Sequence, residues 1–204
     1  MGVMTDDPIG YYRRWIPWRS EIFHRLEEEA RDERIPIVGP VVGELLYLLA
    51  RLRNVQHILE LGTATAYSTL FLAKACRHTG GRIITFEADE AMARRAVGNI
   101  TAEGLSQVVE VRCENALEAI RTIAGPMDMI FIDIEKRDYV RALPSCARLL
   151  NPGGLLIADN TGFNDAHTFN QAVFESQDWE SINIWAYLPG HSPEQDGMCL
   201  ALKI

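Results

Sequence analysis

Between Val55 and Asp159 short apolar runs alternate with helical patterns, and this alternation limits the possible folds more than any other feature of the chain. Val55 to Leu61, Arg82 to Glu87, Val108 to Arg112, Met127 to Asp133 and Leu155 to Asp159 read as strands. Helices are expected over Ala66 to His78, from a cap at Asp89 to Glu103, from a cap at Asn115 up to Gly125-Pro126, and over Tyr139 to Leu150. Glycines at Gly80-Gly81, Gly104 and Asn151-Pro-Gly-Gly154 stop three of them. Strands joined through helices run parallel and need cover on both faces. Phe169 to Glu175 reads as one more helix. Trp179 to Leu188 and Met198 to Ile204 then read as strands with no helix between them, which predicts an antiparallel hairpin. The expected fold class is α/β, with a doubly wound, mostly parallel seven-stranded sheet closed by that hairpin.

Residues 1–54 are expected to form an N-terminal helical cap on a core of residues 55–204, the two making a single domain. Ser20 is the expected cap of a helix running to about Arg34, and Gly39-Pro40 opens a very apolar one. The aromatic stretch Tyr11 to Trp18 suits a helix-packing or homodimer face. No apolar run reaches about 18 residues, so a membrane span is not expected. Met1 to Asp7 is acidic and does not read as a signal peptide. A net charge of −8 weighs against wrapping nucleic acid. Four cysteines far apart, with no C-x-x-C pair, suit buried reduced thiols in a cytoplasmic protein.

Ligands of open parallel sheets bind beyond the carboxyl ends of the strands. Those ends here are Glu60-Leu-Gly62, Glu87-Ala-Asp89, Arg112 to Asn115, Asp133 and Asp159-Asn160. An acidic rim suits hydroxyls, amines and cations, and it disfavours a pyrophosphate. A dinucleotide site wants G-x-G-x-x-G, whereas Gly62-Thr-Ala64-Thr-Ala66 keeps one glycine. The reading that remains is a cationic nucleoside, S-adenosylmethionine. Glu60 would face its positive part, and Glu87 would accept its two ribose hydroxyls.

The run Ile58-Leu-Glu-Leu-Gly-Thr-Ala-Thr-Ala-Tyr-Ser-Thr69 resembles the first motif of class I S-adenosylmethionine-dependent methyltransferases. It is most similar to the cation-dependent catechol and caffeoyl-CoA O-methyltransferase family. Ile83 to Glu87, Phe131 to Tyr139, Leu149 to Asn160 and Asp196 to Leu202 agree with it. The resemblance covers about residues 36 to 204 and implies a Rossmann-like methyltransferase. It places Gly62, Tyr67, Ser68, Glu114, Asn115 and Asp133 at the cofactor, beside Glu60 and Glu87.

The resemblance also implies one divalent cation (Mg, Ca or Mn) on Asp133, Asp159 and Asn160, a set of hard oxygen ligands. Lys136 matches the catalytic lysine, and with Asp133 it would handle the proton of a hydroxylated small-molecule acceptor. A catechol-like vicinal diol is the leading acceptor. A hydroxylated nucleoside of tRNA, or a module that binds S-adenosylmethionine without catalysis, are the alternatives. Two departures stand out: Ala64 and Ala66 replace usual glycines, and only eight residues separate Asn160 from Phe169. The five histidines are scattered without metal-ligand spacing and carry no expected role.

Overall fold

Strands form at β1 (His57–Leu61), β2 (Arg82–Glu87), β3 (Val109–Cys113), β4 (Met127–Ile132), β5 (Leu150–Ala158), β6 (Trp179–Tyr187) and β7 (Gln195–Lys203). In this computed structural model, which describes residues 2–204, they make one sheet in the order β3-β2-β1-β4-β5-β7-β6. The five strands β1 to β5 are parallel; β7 runs antiparallel to both β5 and β6. Among the described residues eight α-helices accompany them: α1 (Pro8–Arg13), α2 (Glu21–Glu33), α3 (Gly39–Leu52), α4 (Tyr67–Thr79), α5 (Glu90–Ala102), α6 (Ala116–Thr122), α7 (Tyr139–Leu149) and α8 (His167–Glu175).

The central strands are apolar on both sides because both faces are covered. Ile58, Met129 and Phe131 point into one core with Phe23, Leu46 and Leu70. Leu59, Leu61, Ile130 and Ile132 point into the other, with Tyr139 and Phe169. Neighbouring residues of a strand thus serve opposite layers, as the pleat demands. Each such side chain contributes about 1.5–3 kcal/mol by leaving water. Phe23 and Leu26 of α2 and Val42 and Leu46 of α3 belong to the first core, so the N-terminal helices share it with the sheet.

Two local expectations change. Asn151-Pro-Gly-Gly154, expected to stop a helix, lies inside β5. Pairing with β4 jumps from Met127↔Leu150 to Met129↔Leu155, so the extra residues bulge out, with Gly153 at φ +73°. Ser20 precedes α2 but makes no capping bond; its hydroxyl bonds Glu103 instead, at 2.9 Å.

The order of the sheet reverses between β1 and β4, which opens a crevice beyond their carboxyl ends. Because β7 returns antiparallel beside β5, the β6–β7 loop must turn at that same edge. Topology therefore brings residues 188–194 to the same edge of the sheet.

Candidate active site

Gly62 follows β1 at φ +100°, and a β-carbon there would collide with the carbonyl oxygen of Asp133. Only glycine lets the two strand ends come this close. Ala64 and Ala66 also lie in the left-handed region, at φ +45° and +72°. Alanine is strained there by about 1 kcal/mol or more at each position. Ala66 is fully buried and leads directly into α4.

Glu87 ends β2. Its Oε2 accepts the amide of Ala64 at 2.8 Å, and its Oε1 accepts the amide of Asp89 at 2.9 Å. The carboxylate thereby fixes the loop, and each oxygen keeps a further lone pair. A groove of about 360 Å³ runs past it, between Gly62, Phe86, Asn115, Leu117, Ile134 and Lys136. A smaller cavity of about 90 Å³ adjoins it, lined by Gly62, Tyr67, Ser68, Glu87 and Asp133 under Pro36 to Val38. Asn115 reaches the groove while its Oδ1 accepts the amides of Leu117 and Glu118, capping α6. Glu114 is exposed and lines neither space.

Glu60 differs from its expected place. It is fully buried and lines neither cavity. Its oxygens accept the hydroxyls of Ser68 at 2.6 Å and Thr69 at 2.5 Å. Burial pushes its carboxyl up to about 7, against those hydrogen bonds. Glu60 thus meets the cavity through Ser68. Tyr67 turns its hydroxyl away, donating to Glu27 Oε1 at 2.6 Å, and Glu27 pairs with Arg19 at 2.9 Å. This chain ties the start of α4 to the helical cap.

At the next two strand ends, Asp133 donates its amide to Leu61, and Asp159 donates its amide to Ile132. The structure therefore brings together the two acids that the sequence placed at one edge. Asp133 is half-buried and accepts Lys136 Nζ at 3.1 Å. Burial and the nearby charge of Asp159 raise its carboxyl above the usual range, against the pull of Lys136. Asp159 is enclosed, and His191 Nε2 faces both of its oxygens, at 2.8 and 3.0 Å. The other ring nitrogen of His191 faces the Pro193 carbonyl at 2.5 Å. Burial opposes protonation of this ring, but Asp159 and the carbonyl outweigh it, and its pKa is raised. Asn160, at φ +51°, donates its amide to Asp196 Oδ2 at 2.7 Å.

The groove fits a nucleoside with a cationic tail. The Gly62 cradle allows close approach, Glu87 offers two acceptors, Leu117 and Ile134 offer apolar walls, and Asp133 offers negative charge. The expected cation set keeps oxygens that a divalent ion could take: Lys136 donates to Asp133 Oδ1 and leaves Oδ2, Asn160 donates to Asp196 through Nδ2 and leaves Oδ1, and His191 faces both oxygens of Asp159. His191 was missed in the sequence because it has no spacing motif. The available signal was the hairpin, whose turn had to fall at the ligand edge.

Residues 19–180 match the O-methyltransferase family. A catechol O-methyltransferase of Niastella koreensis is 42% identical over 127 residues, which cover 60% of this chain and 57% of that one. One of Mycobacterium tuberculosis is 34% identical over 119 residues, covering 58% and 54%. The chain thus matches little more than half the length of these curated relatives. Among solved structures, the O-methyltransferase TomG of Streptomyces achromogenes, in complex with SAM, superposes with a TM-score of 0.84 at 26% identity, covering 95% of this chain and 94% of that one. The O-methyltransferase of Bacillus cereus in complex with SAH gives 0.84 at 26%, covering 96% of each.

Proposed function

The chain belongs to the O-methyltransferase family, and from that membership we propose that it is an S-adenosylmethionine-dependent enzyme methylating a hydroxyl of a small phenolic acceptor. The observation that carries this reading is the Lys136–Asp133 pair, standing on the wall of the same groove that Gly62 and Glu87 shape. Gly62, Ser68, Glu87 and Asn115 would hold the cofactor, with Asp133 near its cationic part. Bound there, S-adenosylmethionine supplies a methyl group whose bond to sulfur breaks as the bond to the acceptor oxygen forms.

The chain's own contribution is to place and deprotonate the acceptor. Lys136 spends one N–H on Asp133 and has two more for the developing oxyanion. Asp133, its carboxyl raised by burial, takes the hydroxyl proton and passes it to solvent. Orientation in the groove supplies the rest, for which about 7–11 kcal/mol is available in principle. Catechols are the first acceptors to test, because relatives carry that name.

Residues 1–204 would act as one domain, with the cap of residues 1–54 closing the small cavity through Pro36 to Val38. Four free thiols suit a reducing compartment such as the cytoplasm. A second copy of the chain would cover the apolar groove of about 590 Å³ lined by Tyr12, Trp15, Leu45 and Leu48. Light scattering should then report twice the chain mass, and Trp15→Asp should return it to one.

The function is tested by transfer of a labelled methyl group to a panel of phenols and catechols. Turnover in the native protein that Lys136→Ala abolishes supports the reading. Binding of S-adenosylhomocysteine with no transfer to any hydroxylated acceptor would reduce the protein to a binding module.

A further inference from the structure

A further cavity, of about 390 Å³, lies between α2 and the β6–β7 loop, within the size range of small-molecule sites. Ile35 lines both this cavity and the groove that holds Lys136. Ile37 lines both this cavity and the small one beside Ser68. On the loop side the cavity reaches His191, whose ring rests on Asp159 at the acidic edge. Ser192 N donates to Ile37 O at 3.2 Å, which joins the loop wall to the cap wall.

Besides His191, the charged side chains around this cavity are Arg13, Arg19, Glu27, Arg31 and Glu194. Four of these are paired within the chain. Arg13 meets Glu194 at 2.6 Å. Arg19, almost fully buried, gives Nε and one terminal nitrogen to the two oxygens of Glu27, each at 2.9 Å. Arg31 is the remaining one. It is exposed at the rim, and among the described residues its guanidinium makes no hydrogen bond or ion pair. The acids near it on α2 are engaged elsewhere: Glu27 also accepts Tyr67, and Glu29 and Glu33 take Arg95 at 3.2 and 2.7 Å. One positive charge is therefore left over here, in a chain of net charge −8. The adjoining groove has the opposite sign, with Glu87, Glu135 and Asp138 beside the Asp133–Lys136 pair. Such a contrast attracts a cation to the groove and an anion to the cavity.

We propose that this cavity is the acceptor's subsite, and that Arg31 selects phenols carrying a carboxylate on a short arm. The proposal rests on the methyl-transfer reading above. Displacement at the methyl carbon is in line, so the acceptor oxygen must approach from the side away from sulfur, and the groove beside Glu87 is given to the cofactor. With the hydroxyl at Lys136, the ring lies against Ile35 and Ile37 and the carboxylate meets Arg31. A guanidinium fork matches both oxygens of a carboxylate. Arg13 and Arg19 already spend theirs on Glu194 and Glu27, so they shape the walls and do not compete. The chemistry is unchanged: the methyl–sulfur bond breaks as the methyl–oxygen bond forms, the hydroxyl proton leaves through Asp133, and the carboxylate takes no part. Arg31 is thus a specificity-determining residue and acts at a distance from the reacting atoms.

The test compares the catechol acid dihydrocaffeate with its primary amide, which has nearly the same shape and no charge. Methyl-transfer kinetics, and calorimetric titration at saturating S-adenosylhomocysteine, are read for the native protein, Arg31→Gln and Arg34→Gln. Arg34 follows the same helix and does not line the cavity. Both arginines are exposed, so neither substitution touches the core. The native protein should favour the acid by at least about tenfold in KM and in Kd, the worth of one hydrogen bond between charged groups. Arg31→Gln should bring that ratio close to one by raising KM for the acid, with kcat and the amide's KM unchanged. Arg34→Gln should keep the preference. A native protein that binds the acid no tighter than the amide, or binds neither, overturns the proposal. So does a preference that survives Arg31→Gln, or one that Arg34→Gln removes equally. If no acceptor is methylated, the enzyme reading falls and the titrations alone decide this one.

Discussion

Glu60 Oε1 and Ser68 Oγ lie 2.6 Å apart at the seam of β1 and α4, and the carboxylate that makes this bond is closed to solvent. A carboxylate there steadies the hydroxyl that lines the small cavity, at the cost of burying its own charge.

That cost is readable as pH dependence. The Glu60 carboxyl has an ordinary value of 4.5 and is raised to about 7 in the folded protein. Between these values the folded chain binds more protons than the unfolded one, so stability falls as pH rises through the window. The full loss, reached above about pH 7, is of the order of 3 kcal/mol. Glu60→Gln lacks this titration. Urea unfolding should show the variant gaining on the native protein between about pH 5 and about pH 8. An unchanged difference between the two would mean that Glu60 ionises without penalty.

Gly62→Ala should fail at both stability and binding. It combines a φ of +100° with a collision against the Asp133 carbonyl. A destabilisation of about 2 kcal/mol or more is expected, with loss of S-adenosylhomocysteine binding by calorimetry. Gly80→Ala is the control. Its φ of +78° is also left-handed, but no atom lies within 4 Å of the added carbon, so its loss should be nearer about 1 kcal/mol with binding intact.

Glu87→Ala removes the acceptor of two backbone amides and of the expected ribose hydroxyls. Hydrogen bonds to a charged group are each worth about 1.5–3 kcal/mol. Affinity for S-adenosylhomocysteine should therefore fall by roughly one to two orders of magnitude. Unaltered affinity would take Glu87 out of the site, and tighter binding of NAD than of S-adenosylhomocysteine would sink the cofactor assignment.

Lys136→Ala should divide kcat from cofactor affinity. Proton handling at the acceptor is typically worth about 10²–10⁴-fold in rate, so turnover should drop by that order while S-adenosylhomocysteine binding stays nearly constant. Single-turnover kinetics with a catechol acceptor would read both. Equal turnover in the variant would relieve the Lys136–Asp133 pair of its role.

What the sequence determined by itself was much of what neighbouring residues control, the Ser20 cap and the Asn151–Gly154 segment excepted. Alternating apolar residues, glycine stops and the Asp89 and Asn115 caps identify β2, α5 and α6 to within a residue or three, because periodicity and capping act over one or two turns. The acids at the ends of β1, β2, β4 and β5 were legible for the same reason: a parallel strand presents its last residue at the ligand edge. The tertiary structure decided what each acid faces. Glu60 was expected at the cofactor and instead meets Ser68 and Thr69, because α4 folds back over β1. Asp159 meets His191, 32 residues away, only because β7 returns antiparallel beside β5 and turns its loop onto the site. No local pattern encodes such a pair. A carboxylate's partner, and with it the choice between a bare oxygen and a compensated one, is set by distances in space, and those exist only once the sheet has closed.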